Sequence, residues 1–497
     1  MRNIIIFTTI LVLSTIRANN LDLNGAINSN FGNSYDFYDF SENILDLNFF
    51  YNDLQGWVQY EYSNPPDIGF MKNDIRKFRL EYSTDNFLIK LGDIYEFWGR
   101  GLLLNQFDDQ VTNFDNGTRG LYLEYNKGPF SFSHLNGNSD IWLMGADLRI
   151  PGFNNVHSMS ANRFHYDLNS MSLGLTQLRS NENHAKMSGP SALVSHDLRG
   201  TYASWSGGNA DFFLEYVDKV STEKTTMFGS IPNDTLKRGH GYYQNVNFYL
   251  GNWGLSTEYK RYTFDRAHGD LTANDYGNQI EFQQMPTLGK EHNSTLLGRL
   301  THNYNFNDER GGQVELNGSI LGLSVSAQYA HLSRNETWQS VSASDWLYEK
   351  LDGYLPSSNP SALPYWENYQ EISGYAFDDK LYFKIGRGAN KEILKTTRYF
   401  EGTQQDLTIN TFWSYDTTDT ILFDQEFQII DSMEVFDTSY SDHYNVESKL
   451  WQQSKAITFP MEVNYIFDNG YTIGIGFQYQ ERKKVNKSMG NATSFNS

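Results

Sequence analysis

The sequence predicts an all-β chain, built as one large antiparallel transmembrane β-barrel. Three observations carry this reading. Stretches of about ten residues that alternate apolar and polar side chains recur along almost the whole chain. Tight polar turns join them. After residue 20 no apolar run reaches the ~18 residues a membrane helix needs. Successive strand side chains point to opposite faces, so each stretch has one greasy edge and one wet edge. Such a strand fits a sheet packed on a core, or a wall between lipid and water. Composition favours the wall: only 39% of the 497 residues are hydrophobic, too few for the long core segments of a soluble chain this size. Aromatics make up 15%, which suits strands and membrane girdles. Prolines number 11, few enough for most backbone N–H groups to join a ladder.

The elements follow in order. Met1–Arg2–Asn3 is a short basic start, and Ile4 to Ile16 is an apolar run too short to span a bilayer. Residues 1–18 therefore read as a signal peptide cut after Ala18, and residues 19–497 as one barrel domain. Leu45, Leu47 and Phe49 alternate with Asp46 and Asn48, then turn at Asn52–Asp53 into Trp57–Tyr62. Phe78, Leu80 and Tyr82 share an apolar edge that resumes at Phe87, Ile89 and Leu91 after Ser83–Asn86. Leu121, Leu123 and Tyr125 lead through Asn126–Pro129 to Phe130 and Phe132. Thr201–Trp205 pairs with Phe212–Val217 across Gly207–Asn209, and Val246–Leu250 with Trp253–Tyr259 across Gly251–Asn252. Gln313–Leu316 and Leu321–Tyr329 continue the pattern. The clearest hairpin is Met461–Phe467, Asp468–Asn469–Gly470, Tyr471–Tyr479, whose Asp-Asn-Gly supplies the positive φ of a tight turn.

Longer polar joins alternate with the tight turns: Arg179 to Asp197, Ser221 to Gly239 and Thr263 to Thr295. Short turns at one end and long loops at the other is the layout of membrane barrels. Allowing ~10 residues per strand, the chain holds roughly 16 to 20 strands. Residues 335–378 break the rhythm; Ser344 is placed to cap a short helix through Leu351, and Pro356, Pro360 and Pro364 punctuate a loop beyond it. This insertion is read as an external loop or an inward-folded constriction.

Leu91–Gly120 reads LGDIYEFWGRGLLLNQFDDQVTNFDNGTRG. Its Gly92, Asp93, Tyr95, Glu96, Gly99, Arg100, Gly101, Asp115, Asn116 and Gly120 resemble a segment of an uncharacterised family of outer-membrane barrels from Gram-negative bacteria. Asn24–Ala26, Glu258–Lys260 with Tyr262, and the Met461–Gln480 hairpin are similar as well. The resemblance implies an outer-membrane location and a barrel fold, and no reaction. It implies outer-membrane lipid, lipopolysaccharide and the barrel-insertion machinery as partners. Such barrels finish on an aromatic-ended strand, whereas Lys487–Ser497 does not alternate; the expectation is a truncated chain whose closing strands lie beyond it.

Chemistry-bearing motifs are sparse. The charge is −20, from 39 Lys and Arg against 59 Asp and Glu, which argues against nucleic acid and anionic surfaces. There is no cysteine, so disulfides and thiolate chemistry are excluded. Gly99–Arg100–Gly101 lacks the Lys-Ser/Thr of a phosphate loop. Asp93, Glu96 and Arg100 form the candidate polar cluster, with Arg100 expected to pair with Glu96 and Asp93 and tie a turn to the wall. Asp108, Asp109 and Asp115 offer oxygens to a divalent cation, but no EF-hand spacing is present and a solvated acidic loop is the better account. The 11 histidines show no ligand spacing, and no G-x-S-x-G or spaced Ser/His/Asp set marks a hydrolase. No cofactor or enzymatic activity is expected. The sequence thus points to a porin-like pore or a barrel subunit of a surface complex; the alternative is a secreted, soluble, all-β carbohydrate-binding protein.

Overall fold

The computed structural model describes residues 21–34, 38–69, 71–110, 114–144, 151–184, 192–225, 233–264, 282–290, 292–299, 302, 308–340, 346–394, 414–423, 429–439, 450–488 and 495–496. The expected signal peptide lies outside the described residues, as does most of the non-alternating tail. The chain groups into two compact units.

The first unit is an up-and-down antiparallel meander. Its strands are β1 (Leu21–Ser34), β2 (Tyr38–Tyr51), β3 (Leu54–Ser63), β4 (Asn73–Ser83), β5 (Phe87–Ile94), β6 (Thr118–Lys127) and β7 (Phe130–Met144). They continue through β8 (Pro151–Leu168), β9 (Met171–His184), β10 (Ala192–Gly207), β11 (Ala210–Thr225), β12 (Asn233–Leu250), β13 (Trp253–Thr263) and β14 (Asp308–Ile320). Each pairs with the next in the series. β15 (Leu323–Ser333) begins in this unit and ends in the second. The second unit holds β16 (Tyr365–Ala376), β17 (Leu381–Leu394), β18 (Leu450–Ile466) and β19 (Thr472–Ser488), with β16–β17–β18–β19 paired in that order. A four-residue helix, α1 (Thr295–Gly298), sits on its polar face: the Gln478 carboxamide oxygen accepts from Leu296 N–H at 2.9 Å and Gln480 donates to the Leu296 carbonyl at 3.0 Å. Among the described residues these nineteen strands fall inside the expected range, and Ser414–Phe423 pairs with Ile429–Ser439 as a separate hairpin.

The alternation read from the sequence holds. Register places Phe87, Ile89 and Leu91 opposite Tyr125, Leu123 and Leu121, and Phe132 opposite Phe164. All of these except Phe132 are exposed, as are Leu175 at 62% and Ile475 at 71%. Among the described residues no second layer covers this edge. The buried residues belong to the other face, where Leu135, Ile141, Ala161, Leu178, Leu198 and Val217 are all 0% exposed.

Two expectations need correction. First, two of the three long polar joins are largely strand: β9 runs on to His184, β10 starts at Ala192, and β11 and β12 fill much of 221–239. Here Arg179 faces Asp197 and Asn181 faces Ser195 across the ladder on the edge that carried Leu173 and Leu175 lower down. With both faces polar, alternation disappears although the strand continues. Second, the expected helix through Leu351 is replaced by a hairpin, Glu336–Ser340 against Trp346–Lys350; Trp, Tyr and Thr favour the pleated pairing.

Glycines let β6 and β7 approach closely. A Cβ on Gly120 would lie 2.0 Å from the Asn136 carbonyl oxygen, and one on Gly137 would lie 2.4 Å from that of Arg119. Nothing lies within 4 Å of a Cβ built on Gly476. Gly120→Ala should therefore destabilise folding by about 1–3 kcal/mol through overpacking, while Gly476→Ala should be close to neutral. Urea unfolding midpoints of the two variants check this contrast.

Candidate functional site

The polar face of the first unit is not an empty surface. Two connecting segments fold onto it, described over residues 95–110 with 114–117 and over 282–290. They bring Trp98, Leu102, Leu103, Leu104, Phe282 and Leu288 into a small core, with Trp98 and Leu103 at 0% exposure. Main chain links the segments: Asn105 N–H donates to the Phe282 carbonyl at 2.7 Å, and Gln284 N–H to that of Gly101 at 3.2 Å. The Gln283 side chain donates to the Leu102 carbonyl at 2.9 Å.

The first segment opens where β5 ends. Phe97–Trp98 pairs with Leu104–Asn105, and Asp108–Asp109 with Phe114–Asp115. Asn116 clips this excursion shut: its amide donates to the Asn105 carbonyl at 2.8 Å and its oxygen accepts from Phe107 N–H at 2.6 Å. Gln106 donates to Thr118 Oγ1 at 2.6 Å and accepts from Glu96 N–H at 3.3 Å. At the tip, Gly99 (φ 62°) and Gly101 (φ 85°) take left-handed conformations that side-chain-bearing residues rarely adopt. Gly99 is also needed for space, since a Cβ there would lie 2.5 Å from the Glu215 carboxylate. Glu215, from β11, is buried and accepts the Arg100 backbone N–H at 2.6 Å.

The predicted cluster is thus dispersed. Asp93, Glu96 and Arg100 make no ion pair with one another among the described residues. Asp93 takes a two-pronged contact from Arg119, at 2.9 and 3.1 Å, and also accepts Phe78 N–H at 2.8 Å. Its ladder position, opposite Arg119, lies on the apolar edge and not the polar one. Glu96 pairs with Lys90 at 2.9 Å and accepts the Trp98 indole N–H at 3.3 Å. Arg100 is exposed, with its guanidinium 5.2 Å from the Phe213 ring centre. The turn is tied to the sheet by its main chain and Glu215, not by the Arg100 side chain. The residue sequence reasoning missed lies 115 positions away, and no local spacing announces it.

The acidic trio is not a cation site. Asp108 contacts Lys77 and lies 3.6 Å from Arg76, and Asp115 lies 3.0 Å from Lys77. The Lys77 ammonium stands where a metal would. A β-bulge at Arg76 explains the crowding: Gln59 faces Lys77 while Tyr60 faces Ile75, so Arg76 is the extra residue and both cations are buried. Tyr95 donates to Asp115 at 3.2 Å. Burial, then the charges of Asp115 and Asp108, hold its phenol far above the ordinary tyrosine range, so it stays a donor.

One further arrangement was not legible. Ser221 Oγ lies 2.8 Å from His196 Nδ1, and Glu182 Oε2 lies 3.1 Å from His196 Nε2. The set resembles a nucleophile–base–acid relay, yet all three side chains are buried at 2% exposure or less. Substrate has no approach to Ser221, and the contacts cross-link β9, β10 and β11 instead.

With this geometry established, comparison with known proteins gives a family. Residues 34–344 match the family model described as "Family of unknown function (DUF6029)". The chain belongs to this family. No curated protein matches the sequence. Among solved structures, the chain is similar to Pseudomonas aeruginosa OccK1 (OpdK) at 14% identity and a TM-score of 0.38, covering 75% of this chain and 92% of that one. It is similar to a BenF-like porin from Pseudomonas fluorescens Pf-5 at 11% identity, with the same TM-score and coverages. It is also similar to P. aeruginosa OccK10 (OpdN) at 12% identity and a TM-score of 0.37, covering 75% and 93%.

Replacing Glu215 with Ala should free the Arg100 amide and speed its hydrogen exchange by roughly ten-fold, the equivalent of ~1.4 kcal/mol for one lost buried hydrogen bond. Glu215→Gln keeps an acceptor oxygen and should restore most of the protection.

Proposed function

We propose that this chain is an outer-membrane β-barrel of the porin-like kind, in which segments 95–117 and 282–290 narrow the lumen. The observation that carries the reading is the uncovered apolar edge. In water, Leu173, Leu175, Phe164 and their neighbours in the first unit, and Ile473, Ile475 and Phe477 in the second, would each leave an exposed apolar surface that a soluble protein does not sustain. Against hydrocarbon the same surface is stable. On β12 the apolar edge, interrupted only by Gln244, runs from Tyr242 to Leu250, roughly 26 Å of strand at ~3.3 Å per residue, enough for a tilted strand to cross the apolar band of an outer membrane. The soluble carbohydrate-binding alternative leaves this surface in water.

The polar face then lines the interior, and the two inward segments cross it as a constriction. The constriction is held by short main-chain and side-chain bonds and not by a packed domain, which suits a narrowed passage for small solutes. No catalytic role is assigned: the relay-like set at His196 is closed off, and the carboxylates around the inward segments are paired. Net charge favours cations or neutral solutes over anions.

Two outcomes are expected. In planar bilayers the protein should conduct with a reversal potential of the cation-selective sign, and replacing Phe97–Asn105 with a Gly/Ser linker should raise single-channel conductance at least two-fold. A correctly inserted but silent protein, silent also after the replacement, contradicts the pore. Separately, Leu123→Arg should cost roughly 2–4 kcal/mol in lipid-vesicle folding titrations if that position lies near mid-membrane, with Ser131→Arg on the opposite edge costing far less.

A further inference from the structure

Most charges on the inward segments are matched. Glu96 pairs with Lys90 at 2.9 Å, Asp115 with Lys77 at 3.0 Å, and Lys290 with Glu315 at 2.9 Å. Arg100, at the tip of the first segment, is different. Its side chain is exposed and makes no ion pair among the described residues. Its position is nevertheless fixed. The main-chain N–H is held by Glu215, Gly99 and Gly101 set the turn, and the guanidinium rests 5.2 Å from the Phe213 ring centre, a cation–π distance. Glu215 itself is 2% exposed, out of a solute's reach.

Phe213 belongs to a ladder row that crosses the polar face of the first unit. The row reads Asp167, Ser172, Ser204, Phe213, Asn245 and Glu258, one residue from each of β8 to β13. Asp211 lies on the same face, two residues from Phe213 towards the tight turn. Asp167 contacts His165 at 3.1 Å, Asp211 accepts from Ser206 and from Tyr249 at 2.6 Å, and Glu258 accepts from Tyr243 at 2.8 Å. None of the three carboxylates has a Lys or Arg partner among the described residues. At ~4.8 Å per strand and ~3.3 Å per residue, they stand roughly 7 to 14 Å from Phe213 along the sheet. Arg100 thus hangs over an acidic row without pairing with it.

We propose that Arg100 is the specificity-determining residue of the pore, and that the class of solute it favours is neutral and hydrogen-bonding. This inference rests on the pore reading above. The carboxylates of the row draw cations in and turn anions away. Arg100 reverses the sign where the inward segment narrows the route. With salt screening, a unit charge ~6 Å from the path changes an ion's local population by about two-fold. A small cation therefore loses at Arg100 part of what the row offers it, and an anion that Arg100 attracts has the carboxylates to pass. A neutral solute meets neither penalty. Ser172 and Ser204 present hydroxyls to it, and Phe213 offers an apolar surface between them and Asn245.

Because the main chain of Arg100 makes the anchoring hydrogen bond, substitutions of its side chain leave the turn attached. The test reads the potassium-to-chloride permeability ratio of the full chain from reversal potentials in planar bilayers. Removing the charge moves cation and anion in opposite directions, so Arg100→Ala should raise the ratio about three-fold and Arg100→Glu about ten-fold. Arg100→Lys should keep the wild-type ratio. In proteoliposomes, galactose should enter roughly five-fold or more faster than the size-matched galactosamine and galacturonate, and Arg100→Glu should speed galactosamine about three-fold. A conducting protein whose ratio is the same in wild type and Arg100→Glu overturns the proposal and leaves the pore reading standing, as does equal entry of the three sugars. Silence of the wild type and of every variant overturns the pore reading and this inference with it.

Discussion

Every long strand of this protein has an apolar edge that no other part of the described chain covers, and the rest of the structure answers to that constraint. A sheet packed on a core hides its greasy side. Here the buried side is the polar-patterned one, filled by inward segments, and the greasy side is open. The inversion decides where the protein's stability must come from. Ladder hydrogen bonds and the small core around Trp98 and Leu103 hold the first unit together, and the surroundings must supply the apolar contact that the fold leaves unmade.

The inward segments follow from the same inversion. A polar face with Glu215, Lys260 and Gln313 can receive main chain, because each can satisfy an N–H or a carbonyl that would otherwise be buried alone. Glu215 accepts from Arg100, Lys260 donates to the Pro286 carbonyl at 3.2 Å, and Gln313 accepts from Gly289 N–H at 2.9 Å. Irregular backbone inside the structure is thus paired residue by residue. β5 ends at Ile94 and β6 begins at its partner Thr118, so the chain leaves the sheet there and its first folded-in segment reaches the polar face.

How much of this was legible in the sequence depended on distance along the chain. Hairpins such as Leu121–Phe132 and Met461–Tyr479 were readable because register and turn chemistry are local. The upper parts of β9 to β12 were not, because a strand whose two faces are both polar has no period to detect. Ser344–Leu351 looked helical from a cap and spaced apolar residues, and cross-strand pairing overrode that signal. Spacing grouped Asp93, Glu96 and Arg100 as one cluster, whereas their partners Arg119, Lys90 and Glu215 come from the ladder. Spacing brings Asp93 and Arg100 close in number, while the sheet puts them on opposite edges.

The absence of cysteine from the chain makes the decisive measurement clean. Single cysteines at 175 and 176, and at 477 and 478, carry nitroxide labels in protein reconstituted into lipid vesicles, and collisional access to oxygen and to a water-soluble nickel chelate is read by electron spin resonance. The account predicts that labels at 175 and 477 are open to oxygen and shut to the chelate, with lower oxygen access at 176 and 478. Labels at 175 and 477 that are reached freely by the chelate, or shielded from both reagents, would contradict it.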